Sequence, residues 1–307
     1  MSIILTGASG AFGRKATETL MKRVSPSELI LVTRNPDSLT EAKAKGAIVR
    51  YGDFDDEASL KTAFVGGTKM LMISTMNVGR RAEQHLRAIN AAKASGVEHI
   101  VYTSSDGLDK ANPALIGPDH LKTENNLKAS GLKYTIMRDS LYAETVVQMI
   151  APQGLKHGFW RSPARDGVVG FSAKKDCAEC AATVVSSDGH ENKTYAVTGP
   201  ERMTFKQGLE IVSDVMQAPI EWIDISFQEF DEDLQKLGIP WDYEQNMNIE
   251  GMTSGRHDII TYEQGVRLGY FSNLSNDVQH ILGRPPTSFR EVAEDNREFL
   301  KQYIKKQ

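Results

Sequence analysis

The chain opens on a short apolar run, Ser2–Leu5, that leads directly into the glycine-rich segment TGASGAFG. Gly7, Gly10 and Gly13 recur there at every third position. Glycine loses more backbone freedom on folding than any other residue, so a loop this rich in glycine needs a reason. Between a strand and a helix, such glycines allow a tight turn and a close approach to a diphosphate, which the helix N-terminus attracts. The opening therefore predicts a dinucleotide site. The alternative is a purely structural turn, since the spacing is GxxGxxG rather than GxGxxG.

Short β-branched runs alternate with helical patterns through residues 1–150. This rhythm is typical of a parallel sheet that is covered by helices on both faces. The prediction is an α/β fold, a Rossmann-like doubly wound parallel sheet, with residues 1–150 as the dinucleotide-binding Rossmann domain. Strands are predicted at SIILT, ELILVTR, AIVRYGD, KMLMIST, HIVYTSS and YTIMR, and helices at about Ala11–Arg23, Ser38–Lys45, Ala58–Phe64, Arg81–Ser95 and Leu121–Ala129.

The rhythm breaks after about Ile150. GVVGFS and KTYAVTG have the composition of further strands, whereas EFDEDLQKLG and the last segment have helical patterns. Thr204 with Gln207, and Ser288 with Glu291, have the spacing of a capping box at two helix starts. We predict that residues 151–307 form a smaller, mixed and mainly substrate-binding region. Some of its strands and helices are expected to return to the Rossmann core.

Composition excludes several classes of protein. The 307 residues carry a formal net charge of -4, which gives no electrostatic reason to expect binding to nucleic acid or to an anionic membrane. No apolar stretch approaches the roughly 20 residues of a membrane helix, and the short apolar start does not resemble a signal peptide. Two cysteines leave no basis for a disulfide framework. The expectation is a soluble, cytoplasmic monomer or homodimer with no nucleic-acid or membrane partner.

The second predicted strand indicates which dinucleotide is bound. A cofactor without a 2′-phosphate is usually held by an acidic residue at the end of that strand. Here the strand ends in Arg34, and no carboxylate follows until Asp37. A guanidinium suits a phosphate dianion because it is always charged and donates two parallel hydrogen bonds. Arg34, with Arg14 as a second cation, therefore predicts NADP(H); the alternative is that Arg34 is a solvated strand end.

Other polar residues follow the predicted strands at the same edge of the sheet. Asp53 and Phe54 fall where the adenine of a dinucleotide usually lies, although Asp53 is equally suited to capping its own loop. Ser74 and Thr75 end the fourth strand beneath the nicotinamide half of the cofactor. The full predicted cofactor-binding set is Thr6, Gly7, Ser9, Gly10, Ala11, Phe12, Gly13, Arg34, Asp53, Phe54, Ser74, Thr75, Thr103 and Ser104.

Seven segments, in order along the chain, resemble one protein family. They are TGASGAFG, VTRNP, YGDFDD, HIVYTSS, HLKTENNLKASGLKYTIMRDSLYAE, ENKTYAVTG and GRPPTSFREVAEDNREF. Together they resemble the NmrA-like, atypical short-chain dehydrogenase/reductases, and within that group the bacterial NADPH-dependent quinone oxidoreductases and triphenylmethane-dye reductases. The resemblance implies a Rossmann-fold reductase that uses NADP(H).

The sequence departs from the wider short-chain dehydrogenase superfamily at its catalytic pair. Those enzymes carry Tyr-x-x-x-Lys with the tyrosine as acid/base, whereas no YxxxK occurs in this chain. In the corresponding place stand His120 and Glu124, one turn apart on one face of a helix. His120 would donate a proton, and Glu124 would orient it or accept from a ribose hydroxyl. The alternative is an ordinary helix-start pair. Tyr142, just beyond the sixth strand, would line the pocket or be a half-buried structural tyrosine.

The missing tyrosine bears on the acceptor. Reduction of a simple ketone creates an alkoxide that needs a proton donor, whereas a quinone or conjugated cation gives a product whose charge is delocalised or absent. The leading hypothesis is therefore an NADPH-dependent reductase of a quinone-like or other conjugated aromatic acceptor. The alternatives are a non-catalytic, redox-sensing regulator of the NmrA type and a reductive tailoring enzyme of aromatic natural products. Cys177 and Cys180, spaced as CxxC, are interpreted as helix packing, and no metal site is expected.

Overall fold

A computed structural model of the protein describes residues 2–244, 249 and 254–304. In this part of the chain, no helix is both long enough and apolar enough to cross a membrane. The strands are β1 (Ile3–Thr6), β2 (Leu29–Thr33), β3 (Ile48–Tyr51), β4 (Lys69–Met72), β5 (His99–Ser105), β6 (Lys133–Asp139), β7 (Phe159–Ser162), β8 (Val168–Val169), β9 (Lys193–Val197), β10 (Met203–Thr204) and β11 (Glu221–Asp224). The α-helices are α1 (Ala11–Leu20), α2 (Thr40–Ala44), α3 (Glu57–Ala63), α4 (Arg81–Ala94), α5 (Ile116–Ala129), α6 (Ala143–Thr145), α7 (Ala151–His157), α8 (Lys174–Val185), α9 (Phe205–Met216), α10 (Phe227–Lys236), α11 (Arg256–Arg267), α12 (Asp277–Leu282), α13 (Phe289–Asp295) and α14 (Arg297–Leu300). Short 3-10 turns cover Pro26–Glu28, Pro36–Leu39 and Lys301–Tyr303, and a π-helical turn covers Val146–Ile150.

The central sheet has seven strands in the order β3-β2-β1-β4-β5-β6-β9, and neighbouring strands in it are parallel. The chain first winds from β1 outward to β3, then returns to β4 and winds outward the other way. The order therefore reverses between β1 and β4, which opens a crevice at their carboxyl ends. Open α/β sheets bind ligands at this point. The predicted Rossmann-like, doubly wound fold is confirmed.

Helices bury both faces of this sheet. Along β1, Ile3 and Leu5 join the core under α1 and α8, whereas Ile4 joins the core under α3 and α4. Successive strand side chains point to opposite faces, so a strand that is buried on both sides must be apolar throughout. This is why β1, β2 and β4 consist largely of apolar residues. Cys177 and Cys180 are free, buried residues of α8 that belong to the same apolar core as α1. This agrees with the interpretation of the CxxC spacing as helix packing.

The second half of the chain both joins this sheet and builds its own core. β9 pairs with β6, and α8 packs on α1, so these two elements return to the first half. α12 packs on α8 and β9 and joins the same core. Most of the other elements surround a separate apolar core that includes the antiparallel pair β8–β10 and the parallel pair β7–β11. The division at residue 150 into a cofactor-binding and a substrate-binding part stays a prediction.

Both predicted capping boxes are present. At the start of α9 the Thr204 hydroxyl accepts from the Gln207 backbone N–H, and the Gln207 side chain accepts from the Thr204 backbone N–H. Ser288 and Glu291 repeat this pattern at the start of α13. Each box satisfies two of the N–H groups that a helix start leaves unpaired.

The start of α5 differs from the prediction. The helix begins at Ile116 rather than near Leu121, and Pro118 lies in its first turn. Proline is tolerated there, since the N–H groups of the first turn have no partner within the helix. His120 consequently lies inside the helix, on a buried side, rather than at an exposed helix start.

One buried carboxyl marks the core of the second half. Glu263 on α11 is 5% exposed and accepts a hydrogen bond from the Ser162 hydroxyl. Burial raises the pKa of Glu263 from its ordinary 4.5 to about 8, against the hydrogen bonds from Ser162 and the Ala164 backbone. The folded state keeps this proton at neutral pH, whereas the unfolded chain releases it near the ordinary value. Stability is therefore lost as pH rises between the two pKa values, by up to about 1.4 kcal/mol per pH unit.

The substitution Glu263→Gln should remove this pH dependence, because the amide oxygen accepts the same hydrogen bonds and does not ionise. Between about pH 6 and pH 8, the free energy of unfolding of the wild type should fall by about 2 kcal/mol more than that of the variant. Urea unfolding at both pH values measures the difference. The same pH dependence in the two proteins would mean that Glu263 is not the group responsible.

Candidate active site

The glycine loop lies in the crevice between β1 and β4. A different physical reason accounts for glycine at each of its three positions. Gly7 has a backbone φ of +62°, a conformation that side chains disfavour. A Cβ on Gly13 would lie 2.2 Å from the Gly7 carbonyl oxygen, so close packing of α1 on the loop requires glycine there. A Cβ on Gly10 would meet only the Gly7 oxygen, at 3.4 Å, and would otherwise project into open space. Of the three, Gly10 is thus the glycine that the protein's own packing explains least, which is the behaviour expected of a ligand-facing position.

The loop ends at the N-terminus of α1, which has no side-chain cap. Gly10 is the N-cap residue, and the first intrahelical bond runs from the Arg14 N–H to the Gly10 carbonyl. The N–H groups of Ala11, Phe12 and Gly13 precede this bond, and such groups at a helix start carry the positive end of the helix dipole. The arrangement suits a diphosphate.

Hydrogen bonds tie the glycine loop to the carboxyl end of β2. The Ser9 and Thr33 hydroxyls are 2.7 Å apart, and Arg14 donates from Nε to the Ser9 carbonyl and from Nη2 to the Ser38 carbonyl, both at 3.0 Å. Arg34 directly follows β2 with an exposed side chain, for which no ion pair or hydrogen bond to another described residue occurs. Two guanidinium groups thus flank the β2 end of the crevice, and that of Arg34 is available to a ligand.

Buried threonines hold the carboxyl ends of β1, β4 and β5 together. The Ile73 N–H donates to Thr6 Oγ1 at 3.1 Å, and the Ser74 N–H donates to Thr103 Oγ1 at 2.9 Å. Thr75 donates from its hydroxyl to Gln84 at 2.8 Å. The structure therefore brings Thr6, Ser74, Thr75 and Thr103 to one edge, where the side chains of the two buried threonines support the backbone of the loop after β4.

A neutral histidine on α4 holds the loop after β4 through a hydrogen bond. The Thr75 N–H donates to His85 Nε2 at 3.1 Å, so Nδ1 must carry the ring proton, which faces Thr123 Oγ1 at 3.0 Å. The Thr123 hydroxyl in turn donates to the Asp119 carbonyl. Burial, helped by the charge of Arg81, lowers the pKa of His85 to about 3. His85 is thus a fixed hydrogen-bonding group, and the sequence alone gave no signal for it.

The predicted acid, His120, is 2% exposed. Its Nδ1 lies 2.6 Å from the Tyr102 hydroxyl. Burial, and then the charge of Arg81 and the neighbouring His85, hold the pKa of His120 well below its ordinary value. The ring is therefore neutral at physiological pH. A neutral imidazole still has one N–H and one acceptor nitrogen, so donation by His120 stays a prediction, whereas a charged imidazolium is not part of this site.

Glu124 has partners of its own. Arg138 donates to both of its carboxylate oxygens, from Nε at 2.9 Å and from Nη2 at 2.8 Å, and the Ser104 hydroxyl donates at 2.8 Å. These bonds link α5 to β5 and β6. His120 and Glu124 share one helix face as predicted, but each is held by a different set of groups. The role of Glu124 in orienting His120 or binding ribose stays a prediction, as does cofactor contact by Ser104.

Tyr142 is half-buried just beyond β6. Its hydroxyl donates to Asp139 Oδ2 at 3.1 Å, and the Lys174 ammonium lies 5.3 Å from the ring centroid. Burial raises the pKa of Asp139 to about 7 and that of Tyr142 well above its ordinary value. The hydroxyl is thus directed to a buried carboxyl, and the ring is the part that can line a pocket. Sequence reasoning missed Asp139, which is an ordinary strand-end residue until its burial is known.

Asp53 and Phe54 lie after β3, at the far side of the crevice from Tyr142. Asp53 Oδ1 accepts from the Asp55 N–H at 3.0 Å, which is the loop-capping alternative seen in the sequence. Phe54 is buried and packs edge-on against His85, with ring centroids 6.0 Å apart. Adenine contact by either residue stays a prediction. No group of three or more histidine, cysteine, aspartate or glutamate side chains with metal-binding geometry occurs among the described residues.

Comparison with known proteins places this geometry in a family. A family model described as NAD(P)H-binding matches residues 7–148. Quinone oxidoreductase 2 of Escherichia coli (strain K12) is 34% identical over 290 residues, which are 94% of this chain and 96% of the relative. An NmrA-like family domain-containing oxidoreductase of Aspergillus flavus is 26% identical over 236 residues, 75% of this chain and 76% of the relative.

Solved structures agree with the sequence comparison. The E. coli NADPH-dependent quinone oxidoreductase complexed with NADPH superposes with a TM-score of 0.86 at 33% identity, covering 95% of this chain and 99% of the other. The Citrobacter sp. triphenylmethane reductase complexed with NADP(H) superposes with a TM-score of 0.83 at 27% identity, covering 97% and 100%. The resemblance seen in the sequence is confirmed. The chain belongs to the NmrA-like, NAD(P)H-binding oxidoreductases of the atypical short-chain dehydrogenase/reductase group.

Proposed function

We propose that this protein transfers hydride from NADPH to a quinone or a related conjugated aromatic acceptor. The cofactor is NADP(H), in keeping with the NAD(P)H-binding family model and with the relatives that hold NADPH or NADP(H). Gly10, the start of α1 and the guanidinium of Arg34 are the groups proposed to hold its diphosphate and 2′-phosphate. NADPH supplies the hydride, and the protein supplies orientation and a site that excludes water.

The environment of His120 carries the proposal for the acceptor. The one predicted acid on α5 is buried, neutral and bonded to Tyr102, and no Tyr-x-x-x-Lys pair stands beside it. Such a site is poorly equipped to protonate an alkoxide as it forms. Quinones and conjugated cations delocalise or cancel the charge that hydride brings, so they do not need a strong acid. The relatives named as a quinone oxidoreductase and a triphenylmethane reductase support the same class of acceptor.

The test follows NADPH absorbance with four acceptors: a naphthoquinone, a cationic triphenylmethane dye, an aromatic azo compound and cyclohexanone. We expect turnover with one or more of the first three and none with the ketone. The control is the Gly10→Val variant, which should be inactive with all of them. Efficient reduction of cyclohexanone would contradict the proposed class of acceptor.

Tight NADPH binding without turnover of any acceptor would instead favour the redox-sensing regulator of the NmrA type. A reductive tailoring enzyme of aromatic natural products would use the same fold and site. A higher kcat/KM for an aromatic natural product than for simple quinones would favour that alternative. Cytoplasmic location, where NADPH is produced, is part of the proposal, as is a small aromatic or quinone substrate.

A further inference from the structure

Tyr262 lies on α11 where this helix crosses the loop that follows β5. Its ring stacks on Phe271, with centroids 4.3 Å apart and planes inclined by 15°. Phe271 is held in turn against Gly107, where a Cβ would lie 2.6 Å from the Phe271 ring. Gly107 comes two residues after the carboxyl end of β5, so the tyrosine is fixed at the edge of the sheet where ligands bind.

The hydroxyl of Tyr262 has no role in holding the fold. Within the described part of the chain it makes no hydrogen bond, and it is not among the fully buried polar atoms. A phenylalanine would stack on Phe271 equally well, so packing does not account for the oxygen. Burial of the residue, and then the charges of Asp106 and Asp258, raise the pKa of Tyr262 well above its ordinary value. The hydroxyl therefore keeps its proton and is a neutral hydrogen-bond donor.

A second observation points to a ligand at the same place. Asp106, the residue between β5 and Gly107, is 7% exposed. The Gly107 backbone and Asn273 interact with its carboxyl group, and its Oδ2 is buried with no hydrogen-bond partner among the described residues. Asp258, whose charge also acts on Tyr262, interacts with Ser254 and Arg81, and its Oδ1 and Arg81 Nη1 are buried and unpartnered within the described residues. Buried polar atoms in folded proteins are nearly always hydrogen-bonded. Arg81 Nη1 and the Tyr262 hydroxyl are both hydrogen-bond donors, so these unpaired atoms indicate a polar ligand with an acceptor oxygen.

We propose that the cleft between the loop after β5 and α11 binds the acceptor, and that the Tyr262 hydroxyl donates a hydrogen bond to the acceptor oxygen on which negative charge develops. The inference rests on the proposed function. NADPH gives up a hydride with its electron pair and becomes NADP+, and the quinone takes this hydride and one proton from solvent to become the hydroquinone. Tyr262 stays protonated throughout. A tyrosine hydroxyl from the C-terminal half would thus lie in a site whose α5 lacks the tyrosine of YxxxK.

The substitution Tyr262→Phe keeps the ring and removes the hydroxyl. A single hydrogen bond aimed at developing charge is worth roughly 10- to 1,000-fold in rate, and we expect kcat/KM for 1,4-naphthoquinone to fall about 10- to 100-fold. Crystal violet is a cation that hydride neutralises, with no oxygen at the reacting carbon, so its kcat/KM should change by less than about twofold. The matched control is Tyr134→Phe, which removes a hydroxyl near the opposite, amino end of β6 and should change neither. Melting temperature and NADPH affinity should be those of the wild type in both variants.

A binding measurement separates this inference from the proposed function. Affinity for 1,4-naphthoquinone is measured on protein saturated with NADP+, which holds no hydride to transfer, and Tyr262→Phe should weaken it several-fold. If the wild type binds the quinone but never oxidises NADPH, the proposed function fails and the binding comparison alone decides on Tyr262. Unchanged affinity and unchanged kcat/KM in the variant would overturn the inference. So would an equal loss with naphthoquinone and crystal violet, because the tyrosine would then only shape the cleft. A wild type that binds no quinone would overturn both.

Discussion

Gly10→Val should abolish NADPH binding and leave the fold intact. Gly10 is extended, with φ -72° and ψ 167°, a conformation that valine adopts readily, and its Cβ direction is open. The three extra carbons would project into the space over the start of α1, where the diphosphate is expected. The affinity should fall by about 10³-fold or more, which corresponds to about 4 kcal/mol. For a helix N-cap, loss of glycine costs the fold about 1 kcal/mol at most.

Thermal melts with and without NADPH measure both halves of this expectation. At about 100 times its dissociation constant, NADPH should stabilise the wild type by about 2.7 kcal/mol and should not stabilise the variant. Gly10→Ala adds one carbon, 3.4 Å from the Gly7 oxygen, and should give an intermediate affinity. Gly13→Ala is the contrasting variant, because its Cβ would meet backbone at 2.2 Å and should lower the melting temperature without any ligand. A Gly10→Val protein that NADPH still stabilises would mean that the loop is only a structural turn.

Arg34→Glu should reverse the preference for NADPH over NADH. The Arg34 guanidinium is exposed at the end of β2, beside the loop that Arg14 ties to Ser38. A charge-assisted, bidentate contact with the 2′-phosphate is worth about 1.5–3 kcal/mol, and a carboxylate in its place adds repulsion of about 1 kcal/mol. The affinity for NADPH should fall by roughly 10²- to 10³-fold, whereas that for NADH, which has a hydroxyl there, should change little.

Calorimetric titration of both cofactors at low and high salt tests this. Lys22→Glu makes the same change in net charge on an exposed residue just after the carboxyl end of α1, away from the crevice, and should leave both affinities as they are. The NADPH affinity of the wild type should also weaken with salt more than that of Arg34→Glu, since only the wild type pairs the Arg34 guanidinium with the phosphate. Equal affinity of the wild type for NADH and NADPH would remove the assignment of Arg34.

The sequence by itself determined the architecture of the first half. Strands that are buried on both faces are largely apolar, so β1, β2 and β4 can be recognised as short apolar runs between helical patterns. The glycine loop and Arg34 were readable for a similar reason, because local backbone geometry and one strand end fix where they lie. The predicted start of α5, near Leu121, was wrong, since the helix begins at Ile116 and its first turn accepts Pro118.

The tertiary structure alone decided the state of each polar side chain in the site. His120 and Glu124 are four residues apart in sequence, yet Tyr102 holds the first and Arg138 the second, from two different strands. The lowered pKa of His120 and the partners of both residues come from burial, which depends on what packs against α5 and is not encoded in the spacing. Tyr262 shows the same limit most clearly. It reaches the carboxyl end of β5 from a helix far along the chain, and only the packed chain brings those two segments together, because a contact over that separation leaves no local pattern in the sequence.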